Sequence, residues 1–328
     1  MRSIARRCTQ EPRLFPELST LYLAKFCFKE GNDAQLQFSP STLTHEIETM
    51  SAWCDIYSEI NTKQFNHVDQ QRQQLRSQAA SSVQALFNAK AAQNHLRWCD
   101  VIYPTQAFAQ DAGMSLWDFE DLVVKACLLD QPDPVKAWQT IYQQQQKITD
   151  FLNTCRTIRM QGPGVDLSYR CDDRIWINCA GKRNLPDGEV FTAPIEDSVN
   201  GRLSISHPSL YLGNLVSGIQ LVIEAGKVTQ ASAEQGQDFP HAMLELDAGA
   251  RFIGEVAFGL NPGITQPTGQ TIFDEKMAGT MHLALGNAYP ECGGTNQSTL
   301  HWDLVCDLHH AEVYANDELC YVNEKFII

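Results

Sequence analysis

The sequence predicts an α/β fold in two domains, residues 1–156 and 157–328, and three observations carry that expectation. At 328 residues the chain is long enough for two ordinary hydrophobic cores. Its first part alternates short apolar runs with segments of helical period, the pattern of a sheet crossed by helices. Around residues 156–164 the texture changes to short strands separated by Gly- and Pro-containing turns.

In the first domain, Met50 to Tyr57 and Leu96 to Tyr103 read as strands. Between them, Val68 to Lys90 carries Leu75, Ala79, Val83 and Leu86–Phe87 at offsets of three and four, one stripe of a helix. Strand, helix and strand of this length make a βαβ unit of a parallel sheet. Ser115 to Leu129 reads as a helix with Ser115 as its N-cap. Beyond Pro132 and Pro134, Val135 to Arg156 reads as a long polar helix, and its run Gln143 to Gln146 is expected to be a solvated face.

The second domain opens after the turn Gly162-Pro163-Gly164. Strands are expected at 174–179, 190–193, 203–206 and 219–223, the last pairing with 227–230 across Ala225-Gly226. A helix follows Asp238-Phe239-Pro240. A second is expected from about Asp274 to Leu285, stopping at Gly286, and the tail returns to strands.

Composition excludes several function classes. The apolar fraction (43%) and charged fraction (20%) are those of a globular protein. A net charge of −14 argues against a nucleic-acid surface or an anionic membrane as partner. No apolar run reaches the roughly 18 residues a membrane span needs. Eleven cysteines, an odd number with no C-x-x-C pair, read as buried reduced thiols rather than a disulfide framework, and the compartment this implies is the cytoplasm. Met1 to Cys8 is rich in Arg, but Glu11 and Glu17 soon break the basic pattern, so a helix surface is expected there rather than a transit peptide.

Four places in the second domain set polar groups where a core is expected. Glu255 stands in the middle of the apolar strand 252–258, which costs several kcal/mol unless the charge is paired or bound to a metal. The bland alternative is a solvent-facing side chain, or an ion pair with Arg251. His301 and Asp303 alternate with Trp302 and Leu304, so an imidazole and a carboxylate share one strand face, a common half of a divalent-metal site. A simple His–Asp hydrogen bond is the bland alternative, and Asp307 continues the alternation as a decoy. His282 sits among Met277, Met281 and Leu285, where a lone histidine is more often a satisfied core residue. Tyr289 follows beyond Gly286. Glu189 begins a strand aimed by the turn Pro186-Asp187-Gly188.

These residues lie in segments that resemble a known family. NLPDGEVFTAP (184–194), FIGEVAFG (252–259), TIFDEKMAGTMHLALGNAY (271–289) and GGTNQSTLHWDLVCDL (293–308), with GPGVDL (162–167), resemble the thermophilic-type metallo-aminopeptidases of the aminopeptidase T and aminopeptidase S kind. The likeness is strong from about Ser115 to the end. It implies an N-terminal three-layer α/β domain, here without its first strand, and a C-terminal mixed α+β metal-binding domain. It also implies two divalent ions (Zn, Co or Mn) held by Glu189, Glu255, His282, Tyr289, His301 and Asp303. Glu255 is expected to bridge the ions and share in proton handling. Tyr289 is expected either to donate to the oxyanion or to bind as phenolate. The implied substrates are peptides with a free N-terminus, and the implied assembly is a homodimer. Two readings compete. A mononuclear-iron ring-cleaving dioxygenase of the dihydroxypyridine type resembles the same C-terminal fold, but it would not need both Glu189 and Glu255. The other is a non-catalytic shortened relative.

Overall fold

The strand–helix–strand unit of the first half is present. The computed structural model describes residues 21–65 and 68–328, so the segment Met1–Cys8 lies outside the described residues. Ala52–Tyr57 and Arg97–Ile102 pair in parallel, and Gln70–Ala92 is the crossover helix, its first turn capped by the Asp69 carboxylate. A third strand was not foreseen. Asn184–Leu185, from the second half of the chain, pairs in parallel with Arg97–Ile102.

The first of the next helices begins at its expected cap; the second ends at Leu152 rather than Arg156, and its cap, Asp133, was not foreseen. Ser115 accepts from the Asp118 backbone N–H and starts Leu116–Ala126, and Asp133 starts Pro134–Leu152. The Gln143–Gln146 expectation needs one correction. Gln145 is buried, because the helix lays this position on the second-half sheet. Its amide donates to the backbone carbonyls of Cys179 (3.0 Å) and Glu189 (2.9 Å).

From residue 157 onwards the chain builds two large antiparallel sheets and a two-stranded one, Ser209–Tyr211 with Asn214–Val216. The first has eight strands in the order Lys227–Ser232, Gln220–Glu224, Asn200–Ser204, Val165–Arg170, Thr157–Gly162, Glu312–Ala315, Glu318–Val322 and Lys325–Phe326. The hairpin at Ala225-Gly226 is as expected, with positive φ at both residues (49° and 77°), as a tight two-residue turn requires. The second sheet has five strands in the order His301–Asp307, Thr280–Gly286, Ile253–Gly259, Glu189–Thr192 and Ile177–Cys179. The main core lies between the two sheets: Met160, Leu167, Leu203 and Leu221 meet Val256, Phe258, Leu283, Leu285, Trp302 and Leu304. A second core joins the halves, with Phe108, Phe119 and Leu122 packed on Ile264, Phe273 and Met277.

The helix expected from Asp274 to Leu285 is not formed. A single turn, Thr271–Asp274, is followed by the strand Thr280–Gly286, the second strand of the five-stranded sheet. Met277, Met281 and Leu285 are spaced for a helix, but Met281, Leu283 and Leu285 also alternate. Between two partner strands, all seven residues of 280–286 are buried. Paired neighbours on both edges override the helical propensity of Met, Leu and Ala.

Candidate metal centre

One face of the five-stranded sheet gathers the polar groups. Ala257 pairs with His282 on one side and Phe191 on the other, while Ala284 pairs with both Glu255 and Asp303. Gly286 pairs with His301, and Gly259 with Glu189. Directly paired residues share a face and successive residues alternate. Glu189, Glu255, His282, His301 and Asp303 therefore project from four neighbouring strands to the same side. The residues between them, Ala257, Ala284, Gly259 and Gly286, are small and leave room for the donors. The opposite face is core: Trp302 stacks on Tyr211 and donates Nε1 to Ser209 (2.8 Å).

The side chains converge. His282 Nε2 lies 3.8 Å from Glu189 Oε2 and 3.6 Å from Glu255 Oε1. His301 Nε2 lies 3.3 Å from Glu255 Oε2 and 3.5 Å from Asp303 Oδ1. The Tyr289 hydroxyl is 3.5 Å from His301 Nε2, and its ring packs on Phe191. Tyr289 comes from the loop after Gly286 and stands at the rim, 37% exposed. Both imidazoles are oriented from behind: Nδ1 of His282 donates to the Glu275 carbonyl and Nδ1 of His301 to the Asn287 carbonyl, each at 3.0 Å. A carbonyl can only accept, so the Nδ1 proton is fixed and Nε2 turns its other face to the cluster.

The bland alternatives are not realised. Arg251 pairs with Glu245 and Asp307 with His309, both away from the cluster. Glu255 faces two imidazoles and is 4% exposed.

The residues fit a cation. Among the described residues, Glu189 Oε2 and Asp303 Oδ1 are buried without a hydrogen-bond partner. Glu255, His301 and Asp303 each bring a donor atom within 4.8 Å of the others, and so do Glu275, His282 and Asp303. Burial works to raise the Glu255 carboxyl, yet hydrogen bonds and charge from His282 and His301 outweigh it and hold it far below the usual range. Burial likewise opposes charge on the two histidines, and the carboxylates overcome it and push both up to about 10. Burial raises the Glu189 and Asp303 carboxyls. The cluster therefore attracts positive charge at the two Nε2 positions, and O/N donors of this kind suit Zn, Co or Mn.

Two residues here escaped the sequence reading. Lys276 is fully buried, and its ammonium bonds Glu189 Oε1 (3.1 Å) and Glu275 Oε1. It also balances a third acidic group, Cys179, Asp187 and Glu189. Asp187 there accepts from the Gly181 and Gly188 N–H groups, and burial keeps the Cys179 thiol protonated. The available signal was the triplet Asp274-Glu275-Lys276 inside an otherwise apolar stretch.

The model of a family described as thermophilic metalloprotease (M29) matches residues 11–318. Aminopeptidase 2 of Geobacillus stearothermophilus is 32% identical over 262 residues, 69% of this chain and 63% of that protein. Aminopeptidase T of Thermus aquaticus is 33% identical over 246 residues, 67% of this chain and 59% of that protein. The chain thus spans about three fifths of the length of these relatives. Among solved structures, wild-type AmpT from Thermus thermophilus superposes with a TM-score of 0.79 at 22% identity, covering 94% of this chain and 85% of that one. The 2,5-dihydroxypyridine dioxygenase from Pseudomonas putida KT2440 gives 0.55 at 14% identity, covering 90% and 98%. Both likenesses are of fold.

Proposed function

This chain belongs to the thermophilic metalloprotease (M29) family, and on that premise we propose that it is a two-metal aminopeptidase acting on peptides with a free N-terminus. The observation that carries the reading is the single sheet face on which Glu189, Glu255, His282, His301 and Asp303 meet, with two buried carboxylate oxygens unpartnered. Metal use follows from the family. The number of ions, two per chain, and the ligand set of these five with Tyr289 belong to the proposal.

Glu255, whose two oxygens face different imidazoles, would help to hold both ions in this reading. When bound, the ions supply a water of lowered pKa and polarise the scissile carbonyl. The chain's own groups do the rest. Nδ1 contacts to backbone carbonyls hold His282 and His301 in the ligating tautomer. Tyr289 completes the set, its hydroxyl 3.5 Å from His301 Nε2, where it would either bind as phenolate or donate to the tetrahedral oxyanion.

The presence of both Glu189 and Glu255 supports the peptidase over the ring-cleaving dioxygenase, which needs only a His/His/Asp subset. The two-domain division at 156/157, a homodimeric assembly and a reducing, cytoplasmic setting complete the proposal. Among the described residues no helix is long and apolar enough to cross a membrane. The deciding experiment is metal analysis with a chromogenic aminoacyl substrate. About two divalent ions per chain, activity lost in chelator and recovered with Co, Zn or Mn, support the reading. One iron per chain without aminoacyl hydrolysis overturns it.

A further inference from the structure

Resting on the two-metal reading above, we propose that Lys276 is a positioning residue, whose ammonium holds one oxygen of Glu189 so that the carboxylate offers the metal centre its other oxygen alone. The two oxygens of Glu189 have different surroundings. Oε1 accepts from the Lys276 ammonium at 3.1 Å, whereas Oε2 is sealed from solvent, has no hydrogen-bond partner and lies 3.8 Å from His282 Nε2. A carboxylate in solution can turn either oxygen, or both, towards a cation. This one cannot turn without giving up a charge-assisted hydrogen bond in the interior, where such a loss is costly.

Lys276 can do this because its own place is fixed. The side chain is fully buried. Its backbone N–H donates to the Phe273 carbonyl (3.0 Å) and its carbonyl accepts from the Asn261 N–H (2.8 Å), so the side chain starts from a pinned turn. An ammonium has three protons, and here three acceptors meet them. They are Glu189 Oε1, Glu275 Oε1 and, with the Asn184 amide oriented to satisfy both its ends, Asn184 Oδ1 at 3.2 Å. Asn184 lies on the strand that joins the first-half sheet, where it pairs with Asp100. One ammonium thus ties a metal-facing carboxylate to a turn of the second half and to a strand of the first-half sheet. A lysine serving only as counter-ion would balance Glu189 whichever oxygen it met. Here the oxygen left free is the one beside His282, as a ligand of fixed orientation requires.

Without the ammonium, Oε1 is free to join Oε2 on the same cation. A carboxylate bound through both oxygens fills a position that water or the substrate carbonyl needs, so turnover slows while the ion is held at least as tightly. Removing a positive charge from beside a cation acts on affinity in the same direction. Structural damage would do the opposite and release an ion.

The test compares wild type with Lys276→Met, close in shape but without charge or donor, and with Lys276→Gln, which keeps an N–H donor, all in the full chain. Ion number and affinity are read by competition with a chromophoric chelator, and the coordination of bound Co by its visible spectrum. A dipeptide with a free N-terminus gives kcat and KM. Lys276→Met is expected to keep the wild-type number of ions at equal or higher affinity and to weaken the visible absorption of bound Co as its coordination number rises. Its kcat should fall about 10- to 100-fold, with KM within a few-fold of wild type. Lys276→Gln is expected to fall between the two, and it carries the comparison should Lys276→Met not fold. An unchanged Co spectrum and kcat in the variants overturn the proposal. So does loss of an ion, which would leave Lys276 a structural support only. A wild type that is loaded but does not hydrolyse the dipeptide overturns the aminopeptidase reading, and the Co spectra then decide the role of Lys276 on their own.

Discussion

At the scale of single residues, the difference between Glu255 and Asp307 tests the centre most directly. Both are strand carboxylates, but Glu255 faces two imidazoles in the interior while Asp307 pairs with the exposed His309. Glu255→Gln is expected to lower kcat/KM by at least about 100-fold and to weaken metal binding, since replacing even a supporting partner of a ligand costs 10- to 100-fold. Asp307→Asn should stay within a few-fold of wild type. Equal, mild losses at the two positions in parallel steady-state assays would count against the assignment. The histidines make a pH prediction. With folded pKa values raised to about 10, they stabilise the ion-free fold fully below their unfolded pKa of about 6.5, and that contribution is lost as pH rises through about 10. Glu255 has the opposite sign: its depressed pKa gives stability above its ordinary range that is lost as pH falls. Cations compete with the Nε2 protons, so the rise in Tm on adding Zn or Co should grow from about pH 6 to about pH 8.5. Thermal scans with and without metal measure this, and a rise that shrinks with pH would show that the imidazoles are not ligands.

At the scale of elements, small residues are as much part of the centre as the donors. Ala284 is fully buried and sits between Glu255 and Asp303 in the pairing register. Ala284→Val keeps strand propensity and adds two methyl carbons to the donor face. It should cost about 1–3 kcal/mol of stability through overpacking and reduce metal stoichiometry. Val256, on the core face of the adjacent strand, is the control: Val256→Ala should cost stability while leaving the number of bound ions unchanged. Chemical denaturation and metal analysis of both variants separate the two effects. Gln145 extends the same logic to the helix Pro134–Leu152, whose amide fixes the backbone of Glu189.

At the scale of the whole molecule, an exopeptidase and an endopeptidase differ in what they do to a blocked terminus. A neutral α-amine has a lone pair and its acetylated form does not, so short peptides with free N-termini should be trimmed one residue at a time and their acetylated versions left intact. Mass spectrometry of the digests gives the answer, and internal cleavage of the blocked peptides would identify an endopeptidase. Assembly is a separate expectation. Among the described residues the strand Ala52–Tyr57 is an edge of the three-stranded sheet, with Ile56 and Tyr57 52% and 39% exposed, and an apolar edge is a site of association. Sedimentation should report a dimer, and a monomer across the concentration range would remove that part of the proposal.

The sequence by itself determined the elements whose signals are local. Ser115 marks a helix start because its side-chain oxygen caps an N–H three residues on. Ala225-Gly226 marks its hairpin because both residues adopt positive φ. Glu255 in an apolar run and the alternation His301-Trp302-Asp303 each raised a metal site beside a bland alternative, and the family resemblance tipped the balance. Only the tertiary structure decided the rest. His282 reads as helical until strands on both sides turn its segment into a buried strand. Gln145 reads as a solvated side chain, and Lys276 goes unnoticed, until packing places their donors against Glu189, one from 44 residues before it and the other from 87 residues after it. Asn184–Leu185 joins the first-half sheet through pairing that no local pattern encodes. Caps, turns and alternation act over a few residues and are written in order along the chain. The partners of a buried charge lie tens of residues away, and only the closed fold brings them together.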